Sequence, residues 1–169
     1  MEYKSRKHPR LKDYDYSQPG AYFITICTKD RRNILGRVPA GHDYMAIGEE
    51  DLGQRQVVLS AIGETCRKFI ENINVVYDFV KVSQYVIMPN HIHLLLTIES
   101  AAGGMRASRP TVSTVVRSFK TMVTKQVGTD LWQTSFYEHV IRNERDYTEI
   151  WRYIQENPMK WEFDQLFTD

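Results

Sequence analysis

Hydrophobic and polar residues follow two periods along this chain, and the switches between them mark its elements. Residues 21–28, running Ala-Tyr-Phe-Ile-Thr-Ile-Cys-Thr, are β-branched and aromatic and predict a strand. Residues 57–73 change to a helical period: Val58, Ile62, Phe69 and Ile73 recur near 3.6, with Ala61 and Cys66 between them. Residues 79–87 read as a second strand, closed by Met88-Pro89-Asn90, because proline cannot donate to a ladder. Residues 91–98 are the next strand, and the two pair most simply as a hairpin. Residues 111–127 return to the helical period, with Val112, Val115, Val116, Phe119, Met122 and Val123 as the buried stripe and Gly128 as the stop. Residues 131–141 alternate more loosely and predict a strand. Residues 146–157 predict a third helix, ended by Pro158. Trp161, Phe163 and Phe167 give residues 159–169 something to bury, so a short ordered tail is expected.

The order is strand, helix, strand, strand, helix, strand, helix. The first six elements form a βαββαβ split unit, so the expected fold is α+β and ferredoxin-like, with an antiparallel sheet and one added C-terminal helix. That arrangement names no chemistry. A length of 169 residues suits one domain with a real core. The expected organisation is an arm over residues 1–19, ending at the turn signal Gln18-Pro19-Gly20, and a single domain over residues 20–169. Four glycines among residues 34–53 suggest an inserted hairpin or loop, and residues 99–110, small, Gly-rich and basic, suggest a flexible loop.

Composition changes this picture little. Apolar content of 42% and charged content of 25% are ordinary for a globular chain. No apolar run approaches the roughly 20 residues of a membrane span. The N-terminal stretch has no apolar segment of the secretory kind, so a cytoplasmic location without a membrane partner is expected. Cys27 and Cys66, far apart, read as small buried hydrophobes of a reducing compartment. A formal net charge of +1 excludes a global field that would draw in nucleic acid, and leaves local basic patches to do so. Two such patches stand out. In the arm, Arg6, Lys7 and Arg10, with His8 and Lys12, interleave with Tyr14 and Tyr16. On the second helix, Arg117, Lys120 and Lys125 fall on or near the side away from the apolar stripe. A solvated tail and a solvated basic face are the plainer readings.

The candidate chemistry lies in the second hairpin strand. His91 and His93 are separated by Ile92, and the period of two points both imidazoles the same way. Such a pair suits a metal ion, while an accidental pair on a solvated face stands level with it on spacing alone. Two imidazoles leave a divalent ion underliganded, so a further ligand is expected. The third helix offers Asn157, and Tyr153 stands one turn before it on the same face, at the border of the apolar stripe of Tyr147, Ile150, Trp151 and Ile154. A helical tyrosine is more often a core residue with a satisfied hydroxyl.

These residues carry a resemblance. Met88-Pro89-Asn90-His91-Ile92-His93-Leu94-Leu95 resembles the His-hydrophobic-His motif of single-strand DNA nucleases. Residues 136–147, with Trp151-Arg152-Tyr153-Ile154-Gln155-Glu156-Asn157-Pro158, resemble the C-terminal signature of single-tyrosine transposases, nearest to their REP-associated branch. Residues 13–32 fit it too. The resemblance implies a ferredoxin-like catalytic domain, a divalent metal on His91, His93 and Asn157, and Tyr153 as the nucleophile. Many members carry glutamine in place of Asn157. That departure is shared with the REP-associated branch and leaves the metal as Mg²⁺ or Mn²⁺.

The function implied is a metal-dependent single-strand DNA endonuclease and strand transferase, working through a 5′-phosphotyrosine at hairpin-forming repeats. Single-stranded or hairpin DNA would be its partner, and a homodimer that exchanges the tyrosine helix stands beside a monomer. Two other classes compete. A non-catalytic ferredoxin-like nucleic-acid-binding module would bind DNA in EDTA and cleave nothing. A metallohydrolase using His91, His93 and a water would cleave without a covalent adduct. Tyr137 and Tyr147 are rival nucleophiles, and His139 is left between a structural role, a DNA contact and a place near the metal.

Overall fold

The computed structural model of the chain describes residues 14–16, 18–39, 56–100 and 110–168. Arg6, Lys7 and Arg10 of the arm, most of the 99–110 loop and residues 40–53 of the insertion lie outside the described residues. In chain order the elements are β1 (Gly20–Cys27), β2 (Gly36–Arg37), β3 (Val58–Leu59), α1 (Ala61–Val76), β4 (Val80–Ile87), β5 (His91–Ile98), α2 (Val112–Val127), β6 (Tyr137–Ile141) and α3 (Glu144–Glu156). Strands β4, β5, β1 and β6 form one sheet in that order. Every neighbouring pair in it is antiparallel. The first strand of the split unit therefore sits between the third and the fourth, which is the ferredoxin-like arrangement expected of the pattern.

The helices begin where a side chain satisfies a free amide. Ser60 caps α1 by accepting from the Gly63 amide, Thr111 caps α2 by accepting from Thr114, and Asn143 caps α3 by accepting from Asp146. Gly128 ends α2 with φ of 81°, the left-handed turn that glycine takes without strain. The Ser60 cap corrects one expected boundary: the helix predicted from residue 57 starts at Ala61, because Val58 and Leu59 pair with β2. Gly63 sits so close to the chain before β2 that a Cβ there would meet the Leu35 carbonyl oxygen at 2.0 Å.

The strand predicted over residues 131–141 is shorter than expected. Only Tyr137–Ile141 joins the ladder, with an isolated bridge between Thr28 and Trp132. The ammonium of Lys120 explains the gap. It takes the carbonyls of Gln133 at 2.7 Å, Ser135 at 3.2 Å and Thr134 at 3.5 Å, so these groups turn toward α2.

Alternation along the strands divides the sheet into two apolar faces. Tyr22, Ile24 and Ile26 of β1 and Ile92, Leu94, Leu96 and Ile98 of β5 pack under α1 and α2. On the other face, Phe23 and Leu95 meet Ile150 and Ile154 of α3. His91 and His93 share the parity of Leu95, so they lie on the face that α3 covers. No described helix is long and apolar enough to cross a membrane.

Candidate functional site

The histidine pair is fully covered, with His91 0% and His93 2% exposed. Their Nε2 atoms face each other at 3.1 Å. Each ring is held from behind. Asn90 Oδ1 lies 2.8 Å from His91 Nδ1. The Asn90 amide nitrogen is meanwhile committed as a donor, to the Leu166 carbonyl at 2.7 Å and to Thr168 Oγ1 at 3.1 Å. The oxygen of Asn90 must therefore accept, so His91 carries its proton on Nδ1 and presents a lone pair on Nε2. Thr25 Oγ1 holds His93 Nδ1 at 2.8 Å, and a hydroxyl serves either tautomer of that ring by rotating.

Burial also keeps both rings uncharged. His91 is pushed down to about 3, first by desolvation and then by the charge of Arg31. His93 lies well below the usual histidine range, through desolvation and then through His91, with Asp164 opposing. Neutral imidazoles are the form that binds a cation without first releasing a proton.

Helix α3 brings the other half of the site. Ile150 and Ile154 are buried against the sheet, and this fixes the rotation of the helix. A further tie comes from His139 of β6, whose Nε2 lies 2.8 Å from Asp146 Oδ2 in the first turn of α3. His139 is thus a joint between sheet and helix, away from the histidine pair. In this rotation the Tyr153 hydroxyl stands 3.4 Å from His93 Nε2, and its ring makes an edge contact with Phe23. Asn157 is buried at the foot of the same face. Its Nδ2 donates to Asp164 Oδ2 at 2.9 Å, while its Oδ1 is buried with no hydrogen-bond partner. His91, His93 and Tyr153 thus come together, and Asn157 joins them through Asp164, which also meets the Tyr153 hydroxyl.

Asp164 was not anticipated. After α3 the chain makes a 3-10 turn, Asn157–Phe163, anchored by Trp161, whose ring centroid lies 5.9 Å from that of His91. Asp164 follows and returns to the site, with Oδ2 3.4 Å from the Tyr153 hydroxyl. Among the described residues, His91, His93 and Asp164 offer one nitrogen or oxygen atom each within 4.8 Å of one another, as a metal-binding group does. Its sequence signal was faint: an acid three residues beyond a tryptophan that has to be buried. Phe163, expected to be buried, is instead 87% exposed.

The donor set fits a divalent cation. It comprises two imidazole nitrogens and one carboxylate, and the amide of Asn157, which donates to that carboxylate, has a buried oxygen with no partner. The site opens into a cavity of about 440 Å³, lined among others by Arg31, His93, Tyr137, Tyr153, Asn157 and Asp164. Of the rival tyrosines, Tyr137 lines this cavity, while Tyr147 stacks on Trp151 in the apolar patch under α3. Of the basic residues on α2, Arg117 and Lys125 are exposed, and both border a second cavity of about 610 Å³ between α2 and residues 130–136. Lys120 borders it too, but its ammonium is spent on the three carbonyls already described. Both thiols are free, with Cys66 buried and Cys27 half-buried.

Residues 53–157 match the family described as "Transposase IS200 like". The chain is 34% identical to an uncharacterised protein of Haemophilus influenzae, over 97% of its own length and 94% of the other's. It is 31% identical to the REP-associated tyrosine transposase of Escherichia coli, over 47% of this chain and 45% of that one. In three dimensions it resembles a REP-associated tyrosine transposase solved bound to a REP hairpin. The TM-score is 0.59 at 22% identity, over 89% of this chain and 73% of that one.

Proposed function

Since the chain belongs to the IS200-like transposase family, and is thereby a transposase, we propose that it cuts and rejoins single-stranded DNA through Tyr153. One observation carries the reading: the Tyr153 hydroxyl stands over His93 at the mouth of a buried pair of neutral imidazoles. We assign the bound divalent ion, Mg²⁺ or Mn²⁺, to His91, His93 and Asn157, with Asp164 as an additional oxygen donor. When bound, the ion supplies charge neutralisation and an orienting template for the scissile phosphate.

The remaining work falls to this chain's residues. Asn90 and Thr25 hold the two rings from behind, so that their Nε2 atoms stay aimed into the site. Ile150 and Ile154 fix the face that Tyr153 presents. In the reaction the Tyr153 oxygen attacks phosphorus in line with the leaving group. A bond forms between that oxygen and phosphorus, and the bond from phosphorus to the 3′ oxygen breaks. The phenol proton is lost, and the departing strand gains one as a free 3′-hydroxyl. The 5′ end is left as a phosphotyrosine ester. Because one phosphoester replaces another, a second 3′-hydroxyl can reverse the step and join a new strand without ATP. A phenol is a weak nucleophile at neutral pH, its ordinary pKa being about 10, so it depends on such positioning.

The partner we propose is hairpin-bearing single-stranded DNA, by analogy with the relative solved on a REP hairpin. Arg117 and Lys125, with Arg6, Lys7 and Arg10 of the arm, are its proposed phosphate contacts. Lys120, bound to carbonyls, shapes the wall of that surface. The catalytic domain is residues 20–169. His91, His93, Tyr153, Asn157 and Asp164 of one chain already lie together, so cleavage in cis needs no homodimer.

The test is covalent trapping. Wild-type protein with Mg²⁺ or Mn²⁺ and hairpin-bearing single-stranded DNA should give a protein–DNA adduct that survives denaturation. Tyr153→Phe should give none, while Tyr137→Phe and Tyr147→Phe retain it. An adduct formed by Tyr153→Phe would overturn the assignment.

A further inference from the structure

Between β1 and β2 the chain turns through Asp30 and Arg31, both in the left-handed region at φ of 56° and 52°. Two successive residues with a Cβ in that region are sterically unfavourable, and such strain persists only where the surroundings impose it. Here the surroundings do. The Arg31 amide donates to the Thr28 carbonyl at 3.1 Å. The Arg31 carbonyl accepts from Thr168 Oγ1 at 3.2 Å and, at 3.4 Å, from the amide nitrogen of Asn90. Asn90 is the same side chain that orients His91. One asparagine thus sets the position of the metal-facing ring and of the Arg31 backbone together.

The strained turn delivers a cation to the site. Arg31 lines the same cavity as His93, Tyr153, Asn157 and Asp164. Its side chain makes no ion pair or hydrogen bond with the described residues, and it is exposed. The cavity's other cation, Lys160, is paired with Glu156. A phosphodiester entering this cavity meets the Asp164 carboxylate beside the tyrosine, so counter-charge is needed where it lands. A planar guanidinium suits two phosphate oxygens at once, which an ammonium does not.

We propose that Arg31 is a catalytic residue that grips the non-bridging oxygens of the scissile phosphate, held in place by the left-handed turn at Asp30-Arg31. The proposal rests on the tyrosine reading above. It adds that the charge developing on the phosphoryl oxygens is met by a side chain of the β1–β2 turn.

The experiment measures single-turnover adduct formation with saturating amounts of a hairpin-bearing oligonucleotide that the wild-type protein cleaves. Arg31→Ala should slow the step about 100- to 1000-fold, the usual loss when one donor to a reacting oxyanion is removed. Arg31→Lys should recover part of that. Both variants should melt with the wild type, because an L residue still occupies the left-handed position and the removed group has no ion-pair or hydrogen-bond partner among the described residues. A methylphosphonate at the scissile position should slow the wild type and erase most of the difference between it and Arg31→Ala. Adduct formation by Arg31→Ala within threefold of wild type overturns the proposal while leaving Tyr153 as nucleophile. So does a weaker affinity with an unchanged rate at saturation, or a methylphosphonate effect equal in both proteins. Absence of any wild-type adduct would instead sink the reading on which the proposal rests.

Discussion

Lys120→Met separates a basic residue that shapes the protein from one that holds DNA. The Lys120 ammonium is half-buried, and desolvation keeps it below the ordinary lysine range. Its carbonyl contacts run from 2.7 Å through 3.2 Å to 3.5 Å, the last at the limit of a hydrogen bond. A hydrogen bond to a charged group contributes about 1.5–3 kcal/mol when well buried. Partial exposure lets water replace some of this, so the three together should be worth roughly 1–2 kcal/mol. For a domain of this size each kcal/mol moves the melting midpoint by about 2–4 °C, so Lys120→Met should melt roughly 2–8 °C below wild type. A phosphate contact on a single strand would act differently, shifting the slope of log K against log salt by about 0.7. Lys120→Met should leave that slope alone. Arg117→Ala and Lys125→Ala should each reduce it by about 0.7 and leave melting within about 1 °C of wild type. Wild-type melting with a reduced slope in Lys120→Met would refute the structural assignment of this lysine.

Two further outcomes follow from the geometry. Gly63→Ala sets a helix-propensity gain of about 1 kcal/mol against a Cβ placed 2.0 Å from the Leu35 carbonyl oxygen; overpacking of about 1–3 kcal/mol wins, and urea unfolding should show a lower midpoint at an unchanged slope. Mn²⁺ at about 100 times its dissociation constant should stabilise the EDTA-stripped protein by about 2.7 kcal/mol, read as a rise in melting midpoint, and His91→Ala or Asp164→Asn should blunt that rise.

The periodicities carried the fold further than they carried the site. Strands β1, β4 and β5 and helix α2 were legible because each buries a face of regular period, and their ends are marked by Pro89, Thr111 and Gly128. The start of α1 was hidden because Val58 and Leu59 are apolar in phase with the helix yet pair with β2. The shortened β6 was hidden because its competitor, the Lys120 ammonium, comes from an element some 15 residues upstream. At the site, His91, His93, Tyr153 and Asn157 were visible as pairs at strand and helix spacing. Asp164 and Arg31 lie in irregular segments, where position depends on tertiary bonds such as those of Asn90 and Trp161 and no period announces it.

The order in which these residues occur along the chain has a consequence for synthesis. A ribosome makes the histidine hairpin early, and β5 already has β1 and β4 to pair with. Tyr153, the proposed nucleophile, comes more than fifty residues later, and the Asp164 carboxylate later still. A chain ending before Tyr153 can therefore set the two imidazoles side by side on a sheet, but without α3 and the residues after it their face stays uncovered and the proposed nucleophile is missing. On the tyrosine reading, the power to cut would arrive only when the last helix has been translated and folded down onto that face.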